Sequence, residues 1–498
     1  MGKPTSSDSP LQKPYVWAFT TYFAEGFPYT VIRTLSSVFF RDRGMSLEAI
    51  GVTSIFGLPW VLKFLWGPLV DSFSTKRNWL LSSQAVLCIF FLAVALLAPL
   101  DSLGLIAGLF FLAAFVAATH DIAIDGYYLE ALDKEGQARY VGYRVMAYRI
   151  AMMTGTGVIA TVGAVYNWFA AFLLSSLIMA ALLTFHWLRL PECGTRMNSL
   201  TMGHTSFLKH HAGKIILAVL LVIGLRAGLG SELFLSMQES YPVLKKLTFS
   251  ATISLLLFAG LLLCSLFRNK IRSLILKDPD SFYANAFLSF MDRPAIGPIL
   301  AFIIFIRAGE FMLSAMCAPF LIDLGLKLHY GWLTAGAGLP ASIAGALIGG
   351  WMISRYSLAK MIWPFLLAQN LTNVVYMVLA LNLEHYLILN TGNATPEALS
   401  GLAMLAVAAT HTFDQFSGGL GTAVLMTFLM RICQKEFKAS HYAIGTGLMS
   451  VSGLYSGVVS GFLTSWLGYG YFFGISFLIS IPGMALIFWV PLRDENKG

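Results

Sequence analysis

Two carboxylates stand four residues apart inside a long apolar stretch of this sequence. Asp121 and Asp125 belong to the run 117–128, which has hydrophobic residues on both sides. Residues four apart share one helical face, so a helix would place both acids side by side. A carboxylate in hydrocarbon costs about 3 kcal/mol even on lenient insertion scales. The pair is therefore a candidate for proton binding, for substrate contact or for static ion pairing with Arg144 or Arg149.

Proton binding is the leading hypothesis for this pair, because burial and a neighbouring like charge both favour the protonated form of a carboxyl group. Other acids inside apolar stretches are candidates for the same role. The full set of predicted proton-coupling residues is Asp121, Asp125, Glu25, Glu310 and Asp414.

Further polar residues predict a substrate-binding cavity, because charged groups inside membrane spans usually face a cavity and pair across it. Glu25, Tyr29 and Arg33 form one stripe with a spacing of four residues. The predicted substrate-binding residues are Tyr29, Arg33, His120, Tyr127, Arg144, Tyr148, Arg307 and Gln415. Lys63 and Asp71 are predicted to act in gating.

Each of these assignments has a simpler alternative. Arg144 could extend its guanidinium to lipid headgroups, and Arg307 with Glu310 could pair within one helix. The isolated histidines are as consistent with packing as with binding. The glycines between 418 and 421 favour close helix packing. No metal site is expected.

The elements that must position these residues are membrane-spanning helices. Of the 498 residues, 57% are hydrophobic and 12% are charged, which is about half the charged share of a soluble domain. Apolar runs of about 20 residues recur along the chain, the length that crosses a bilayer as a helix. About fourteen spans are predicted, at 15–40, 47–70, 79–99, 103–131, 141–165, 168–190, 213–235, 248–267, 296–324, 331–354, 360–382, 399–431, 440–466 and 468–490.

The distribution of basic residues predicts the orientation. With the first residue inside, most lysines and arginines fall in cytoplasmic segments, and only Arg41, Arg43, Lys245, Lys246 and Lys327 fall outside. Cytoplasmic loops carry the excess of Lys and Arg, so both termini are predicted to be cytoplasmic. The net charge of +8 has the same explanation and does not indicate a nucleic-acid partner.

The spans divide into six, two and six. The predicted domains are a six-helix half at 1–190, cytoplasmic linkers with a two-helix hairpin (about 213–267) at 191–295, and a second six-helix half at 296–498. Paired six-helix halves around a midplane site describe the major facilitator fold, so an all-α polytopic membrane protein of this fold is expected.

Four motifs resemble the AmpG-type muropeptide permeases of the major facilitator superfamily. They are the stretches Leu62-Lys-Phe-Leu-Trp-Gly-Pro-Leu-Val-Asp71, Thr119-His-Asp-Ile-Ala-Ile-Asp-Gly-Tyr127, Ser417-Gly-Gly-Leu-Gly-Thr422 with Leu429-Met-Arg-Ile-Cys433, and Phe437-Lys-Ala-Ser-His-Tyr-Ala443. The resemblance covers both halves in order and leaves out 191–295. The family's Gln and Trp are replaced here by His120 and Tyr127.

The resemblance implies proton-coupled import of anhydro-muropeptides, the products of cell-wall recycling, across the bacterial inner membrane. It gives Asp121 and Asp125 the two acidic positions of the fourth-helix motif. Lys63 and Asp71 match the two charged positions of the second-helix motif. The run 121–126 is also similar to a motif of related transporters of acetyl-CoA and siderophores, so these substrates stay open as alternatives.

Other classes of protein are less consistent with the sequence. No G-x-x-x-x-G-K-[ST] motif is present, which argues against an ATP-driven pump. A membrane-embedded acyl- or glycosyltransferase would need a catalytic cluster, for which His120 with Asp121 is the nearest candidate. A scaffold or sensor would need long loops. The expected partners are a small glycopeptide-like molecule, protons and membrane lipid, with no cofactor.

Overall fold

The computed structural model describes most of the chain outside one internal segment. Described are residues 13–63, 74–100, 102–132, 134–192, 288–391, 395–433 and 438–490, together with Trp66, Val70 and scattered positions of 224–273. All regular structure in these residues is helical, as the fold class predicts. The chain separates into two compact units, one of 1–194 with 285–498 and one of 195–284. The predicted hairpin at 213–267 lies largely outside the described residues.

The first six long helices, here the N-set, occupy residues 14–189. Ser46, Thr75 and Asn167 accept backbone N–H groups as caps at three of their starts, which satisfies donors that the first helical turn leaves free. The bounds are α1 (Pro14–Thr30, a π-helical turn Val31–Leu35, and Ser36–Asp42), α2 (Leu47–Leu62, with Thr53–Gly57 as a 3-10 turn), α3 (Lys76–Leu97), α4 (Leu103–Ala131), α5 (Lys134–Met153, a π-helical turn Thr154–Ile159, and Ala160–Val165) and α6 (Trp168–Arg189).

The second group, here the C-set, occupies residues 296–485. Gly468 has φ 74° and ψ 167°, a conformation open to glycine, and it divides the long element Lys438–Ala485 into two helices. The bounds are α7 (Ile296–Phe305 and Ala308–Asp323), α8 (Lys327–Tyr356, with a π-helical turn Trp332–Gly338), α9 (Leu358–Asn382), α10 (Gly401–Ile432), α11 (438–467) and α12 (469–485).

Eight helices in the described part of the chain are long and apolar enough to cross a membrane. They are Lys76–Leu97, Leu103–Ala131, Tyr143–Val165, Trp168–Arg189, Ile296–Asp323, Lys327–Tyr356, Leu358–Asn382 and Ile444–Phe488. The last of these contains Gly468. The total of about fourteen spans and the position of the termini stay predictions.

The two helix sets touch each other at one end of the bundle, here the Asp42 end. Glycines make close contact where α2 crosses α11: a Cβ atom on Gly51 would lie 2.9 Å from the Cα atom of Gly461. Where α5 meets α8, a Cβ atom on Gly331 would lie 2.9 Å from the carbonyl oxygen of Gly157. Small residues let helices approach this closely, so the sets are tightly packed at this end.

Candidate functional site

Asp121 and Asp125 lie on α4 and hold different partners. Asp121 forms an ion pair with Lys63 of α2. Asp125 accepts a hydrogen bond from the hydroxyl of Tyr22 on α1 at 2.6 Å and pairs with Arg144 of α5 at 2.9 Å. The side chain of Asp121 is 8% exposed and that of Asp125 is 42% exposed. Asp125 is therefore much more accessible from outside the helix bundle's packed interior than Asp121.

Glu25 of α1 adds a third carboxyl group. It lies within hydrogen-bonding reach of Asp121 and within electrostatic range of Asp125 and Lys63. Its Oε2 atom is buried and has no hydrogen-bond partner in the described part of the chain. Two ionised carboxylates can only accept hydrogen bonds, so Glu25 and Asp121 can bond to each other only through a proton. We call Glu25, Asp121, Asp125, Lys63 and Arg144 the charge cluster.

Two aromatic rings hold Arg144 against Asp125. Its guanidinium carbon lies 4.1 Å from the ring centre of Tyr22 and 4.6 Å from that of Tyr128. The two rings meet edge to face, with centroids 5.6 Å apart. Cation–π contacts favour a guanidinium over an aromatic face. Arg144 is therefore positioned beside Asp125, and the alternative in which it reaches lipid headgroups does not describe this structure.

A second group of predicted residues lies next to the charge cluster. The ring of Tyr29 on α1 meets Trp60 of α2 edge to face at 5.0 Å and lies 6.1 Å from Tyr148 of α5. Arg33, one turn further along α1 in the π-helical segment, donates from Nη1 to the carbonyl oxygen of Ser54 at 2.7 Å. The structure thus brings Tyr29 and Tyr148 together and places Arg33 one turn away on α1, while their substrate-binding role stays a prediction.

The C-set carries its own polar group. Arg307 lies at the break in α7 and binds both carboxylate oxygens of Glu310. Gln369 of α9 donates to the same carboxylate. Arg307 and Glu310 therefore pair within one helix, as the simpler alternative stated.

Asp414 of α10 accepts a hydrogen bond from Thr372 at 2.8 Å and one from Gln415 at 3.3 Å. Its neighbour one turn earlier, His411, contacts the hydroxyl of Tyr376 at 3.0 Å. Both of these α10 side chains are buried. The proton-coupling role of Asp414 and the substrate contact of Gln415 stay predictions.

Two predicted substrate-binding residues are fully buried. His120 is 0% exposed, and neither ring nitrogen has a hydrogen-bond partner in the described residues. Tyr127 is 0% exposed as well; its hydroxyl donates to the carbonyl oxygen of Pro191 at 2.8 Å, and its ring packs edge to face on Trp17. Neither side chain is placed to touch a ligand here. Asp71 lies outside the described residues, and Lys63 is the partner of Asp121.

Sequence reasoning missed several participants. Gln369 belongs to a polar run with Asn370 and Asn373 inside an apolar span, which was a visible signal. Thr372 and Tyr128 carried no such signal, because a threonine or tyrosine in a membrane span most often packs against neighbouring helices.

Comparison with known proteins places the chain in a family. The family model of the Major Facilitator Superfamily matches residues 18–409. An anhydromuropeptide permease of Escherichia coli K12 is 25% identical over 475 residues, which cover 93% of this chain and 77% of that protein. The Rickettsia conorii protein named AmpG 4 is 22% identical over 482 residues, with 95% of each chain covered. These relatives confirm the resemblance to AmpG-type permeases.

Solved structures show the same fold. A peptide transporter POT in complex with sulfate superposes with a TM-score of 0.65 at 13% identity, covering 97% of this chain and 96% of that one. The nucleoside transporter NupG superposes with a TM-score of 0.58 at 13% identity, covering 96% and 99%. The chain therefore belongs to the Major Facilitator Superfamily and is a multi-pass membrane transporter, not an enzyme.

Proposed function

We propose that this transporter imports an anhydro-muropeptide-type cell-wall recycling product across the bacterial inner membrane and that proton movement drives the import. The similarity to the anhydromuropeptide permease of E. coli over 93% of the chain supports the substrate class and the membrane. The two six-helix halves, 1–190 and 296–498, rock around a site between them, and the segment 191–295 connects them.

The charge cluster is the observation that carries proton coupling. Asp121 and Asp125 pair with the cations Lys63 and Arg144, and Glu25 lies within hydrogen-bonding reach of Asp121. Fully ionised, the five groups of the cluster would sum to one negative charge, and the buried Oε2 atom of Glu25 would have no donor, which is costly inside the membrane. One proton shared between Glu25 and Asp121 removes that charge and supplies the missing hydrogen bond. We therefore expect one proton to bind here in each transport cycle.

Asp125 connects this shared proton to water. Its side chain is 42% exposed against 8% for Asp121, and the side chain of its partner Arg144 is 30% exposed. A proton that arrives on Asp125 removes the charge that holds Arg144. Arg144 then becomes able to bind an anionic group of the substrate, so proton binding and substrate binding favour each other. Such mutual dependence is what coupled transport requires.

Alternating access follows from the contacts at the Asp42 end. In the predicted orientation this end faces the outside, so the structure is closed outside and represents the state that releases substrate inward. Opening outward must separate Gly51 from Gly461 and break the ion pairs Arg41–Asp323 and Asp42–Lys327. Repeats that rock around a fixed site are the usual mechanism of this fold.

Uptake into proteoliposomes tests the proposal. We expect wild-type protein to accumulate radiolabelled anhydro-muropeptide when the outside is acidic and to lose accumulation with a protonophore. Asp125→Asn and Asp121→Asn should still exchange substrate across the membrane but should not concentrate it. Glu384→Gln, which removes an exposed acid away from the cluster, should behave as wild type.

Two outcomes would contradict this function. If both aspartate variants accumulate substrate with an unchanged pH dependence, proton coupling through the cluster is wrong. If the wild type accumulates acetyl-CoA or a siderophore and leaves the muropeptide outside, the fold and mechanism stand and the substrate is wrong. The six remaining predicted substrate contacts can be examined in the same assay; they are Tyr29, Arg33, Arg144, Tyr148, Arg307 and Gln415.

A further inference from the structure

Two arginines in the middle of N-set helices have no acidic partner among the residues that the structure describes. Arg33 lies in the π-helical turn of α1, and Arg149 lies on α5 directly after Tyr148. Neither forms an ion pair with any described residue. The guanidinium of Arg33 bonds only a backbone carbonyl, and Arg149 has a long contact of 3.9 Å to the sulfur of Met152. Both side chains are partly exposed.

Three other cations inside the two helix sets differ from these two arginines, because each has an acidic partner. Lys63 and Arg144 hold the aspartates of the charge cluster, and Arg307 holds Glu310. A guanidinium is always charged at physiological pH, and its fork of donors fits carboxylate and phosphate groups. An unpaired guanidinium inside a membrane protein is energetically costly unless an anion binds to it. Arg33 and Arg149 therefore have free capacity for an anion that the protein itself does not supply.

Three aromatic rings connect the two arginines. Trp60, Tyr29 and Tyr148 follow one another across α2, α1 and α5, with centroids 5.0 Å and 6.1 Å apart. Arg33 stands one turn beyond Tyr29 on α1, and Arg149 follows Tyr148 on α5 and lies within electrostatic range of it. The ring of Tyr148 packs on Gly26, where a Cβ atom would come within 3.0 Å of it. The aromatic group therefore lies directly next to Glu25 and the charge cluster.

We infer that Arg33, Arg149 and the rings of Tyr29, Trp60 and Tyr148 form a binding site for a ring that carries an acidic group. The aromatic faces take the apolar face of the ring, and the guanidinium groups take its anionic substituents. For the proposed muropeptide, these are a sugar ring and the carboxylates of its peptide, and the inference rests on the proposed function for that identity. The two arginines can select acidic over neutral ligands before any proton binds, whereas Arg144 becomes available to an anion only after Asp125 is protonated.

The position of Ser54 links this site to the transport movement. Ser54 accepts the hydrogen bond of Arg33, and its hydroxyl lies against α11, where a Cβ atom on Gly457 would come within 1.9 Å of it. Arg33 and Ser54 belong to the same half and move together, so the separation of α2 from α11 removes the α11 surface from beside this hydrogen bond. Ligand affinity at Arg33 should therefore differ between the outward-open and inward-open states.

Binding to detergent-solubilised, full-length protein tests the site without a proton gradient. The probes are N-acetylglucosaminyl-anhydro-muramyl tripeptide and the same molecule with its carboxylates converted to amides. We expect the wild type to prefer the acid, and Arg149→Gln and Arg33→Gln each to weaken acid binding by about 10- to 100-fold, the range for a lost charged hydrogen bond. Binding of the amide should change less than about threefold, because the amide has no charge to lose. Arg149→Lys should recover part of the affinity.

The control is Arg355→Gln, which removes an arginine whose guanidinium lies over Trp351 and Tyr356 at the far end of α8. It should bind both probes as the wild type does. The inference is overturned if the wild type binds acid and amide equally, or if the arginine variants weaken both probes by the same factor. A failure of proton-driven uptake with intact acid preference would instead contradict the proposed coupling, so the two failures are distinguishable.

Discussion

Arg41, at the end of α1, donates from Nε and Nη2 to the two carboxylate oxygens of Asp323, at the end of α7. Both nitrogen–oxygen distances are 2.5 Å. The hydroxyl of Tyr469 donates to the same carboxylate at 2.7 Å. In the neighbouring ion pair the cation comes from the C-set and the acid from the N-set, since Lys327 binds Asp42 at 2.8 Å. Bidentate Arg–carboxylate pairs are strong and directional. These two pairs therefore hold the helix sets together at the Asp42 end.

We expect Asp323→Asn to favour the state that is open at this end, because the substitution leaves Arg41 without its charged partner. Spin labels at Tyr166 and Leu328, which are 75% and 59% exposed and belong to opposite sets, should show a longer distance population that is minor in the wild type. Glu384→Gln is the matched loss of an acid. A distance distribution identical to that of the wild type would show that the pair does not hold this end closed.

The glycine contact between α2 and α11 leads to a second prediction. A Cβ atom on Gly461 would lie 2.3 Å from the carbonyl oxygen of Leu47, whereas one on Gly447 of the same helix meets nothing within 4 Å. Gly461→Ala should therefore lower the free energy of unfolding by about 1–3 kcal/mol and reduce substrate uptake. Gly447→Ala should keep uptake and stability, since alanine favours helix. Equal effects of the two substitutions would contradict close packing at this crossing.

The ion pair between Lys63 and Asp121 can be measured by a double-mutant cycle. Lys63→Gln and Asp121→Asn should each lower the free energy of unfolding in detergent, because each leaves a charge without its partner. The double variant should lose about 1–3 kcal/mol less free energy of unfolding than the two single variants lose together. Strict additivity would mean that the two groups do not interact in the folded protein.

His120 and His186 form a matched pair for testing substrate contact. His120 has no hydrogen-bond partner in the described residues, whereas His186 bonds to Gln84 at 2.9 Å and to Thr20 at 3.0 Å. His120→Leu should keep uptake and keep or raise thermal stability, because it removes buried polar atoms that make no bond. His186→Leu should lower stability by about 1–3 kcal/mol, because Gln84 and Thr20 lose their partner.

A specific loss of substrate affinity in His120→Leu, with stability unchanged, would restore the prediction that His120 binds substrate. The thermal melt and the binding measurement together separate that outcome from misfolding.

The membrane class, the helical architecture and most helix bounds could be predicted from the sequence, because hydropathy along a single span reports directly on burial in lipid. The stripe of Glu25, Tyr29 and Arg33 could be predicted as well, because helical spacing is a local property. Asp121 and Asp125 were recognisable since acids are rare in spans. Motif resemblance added the family, which local patterns alone could not separate from other polytopic bundles.

Partner choice followed from long-range packing and could not be read from local patterns. The sequence allowed Arg144 or Arg149 to neutralise the two aspartates. Packing of α2 and α5 against α4 assigns Arg144 to Asp125 and Lys63 to Asp121, and Arg149 forms no ion pair with any residue that the structure describes. Helical spacing specifies which face of its own helix a side chain occupies, but the rotation and neighbours of that helix depend on residues far away in the chain. The burial of His120 and Tyr127 and the pairing of Arg41 with Asp323, 282 residues apart, therefore emerged from the folded structure.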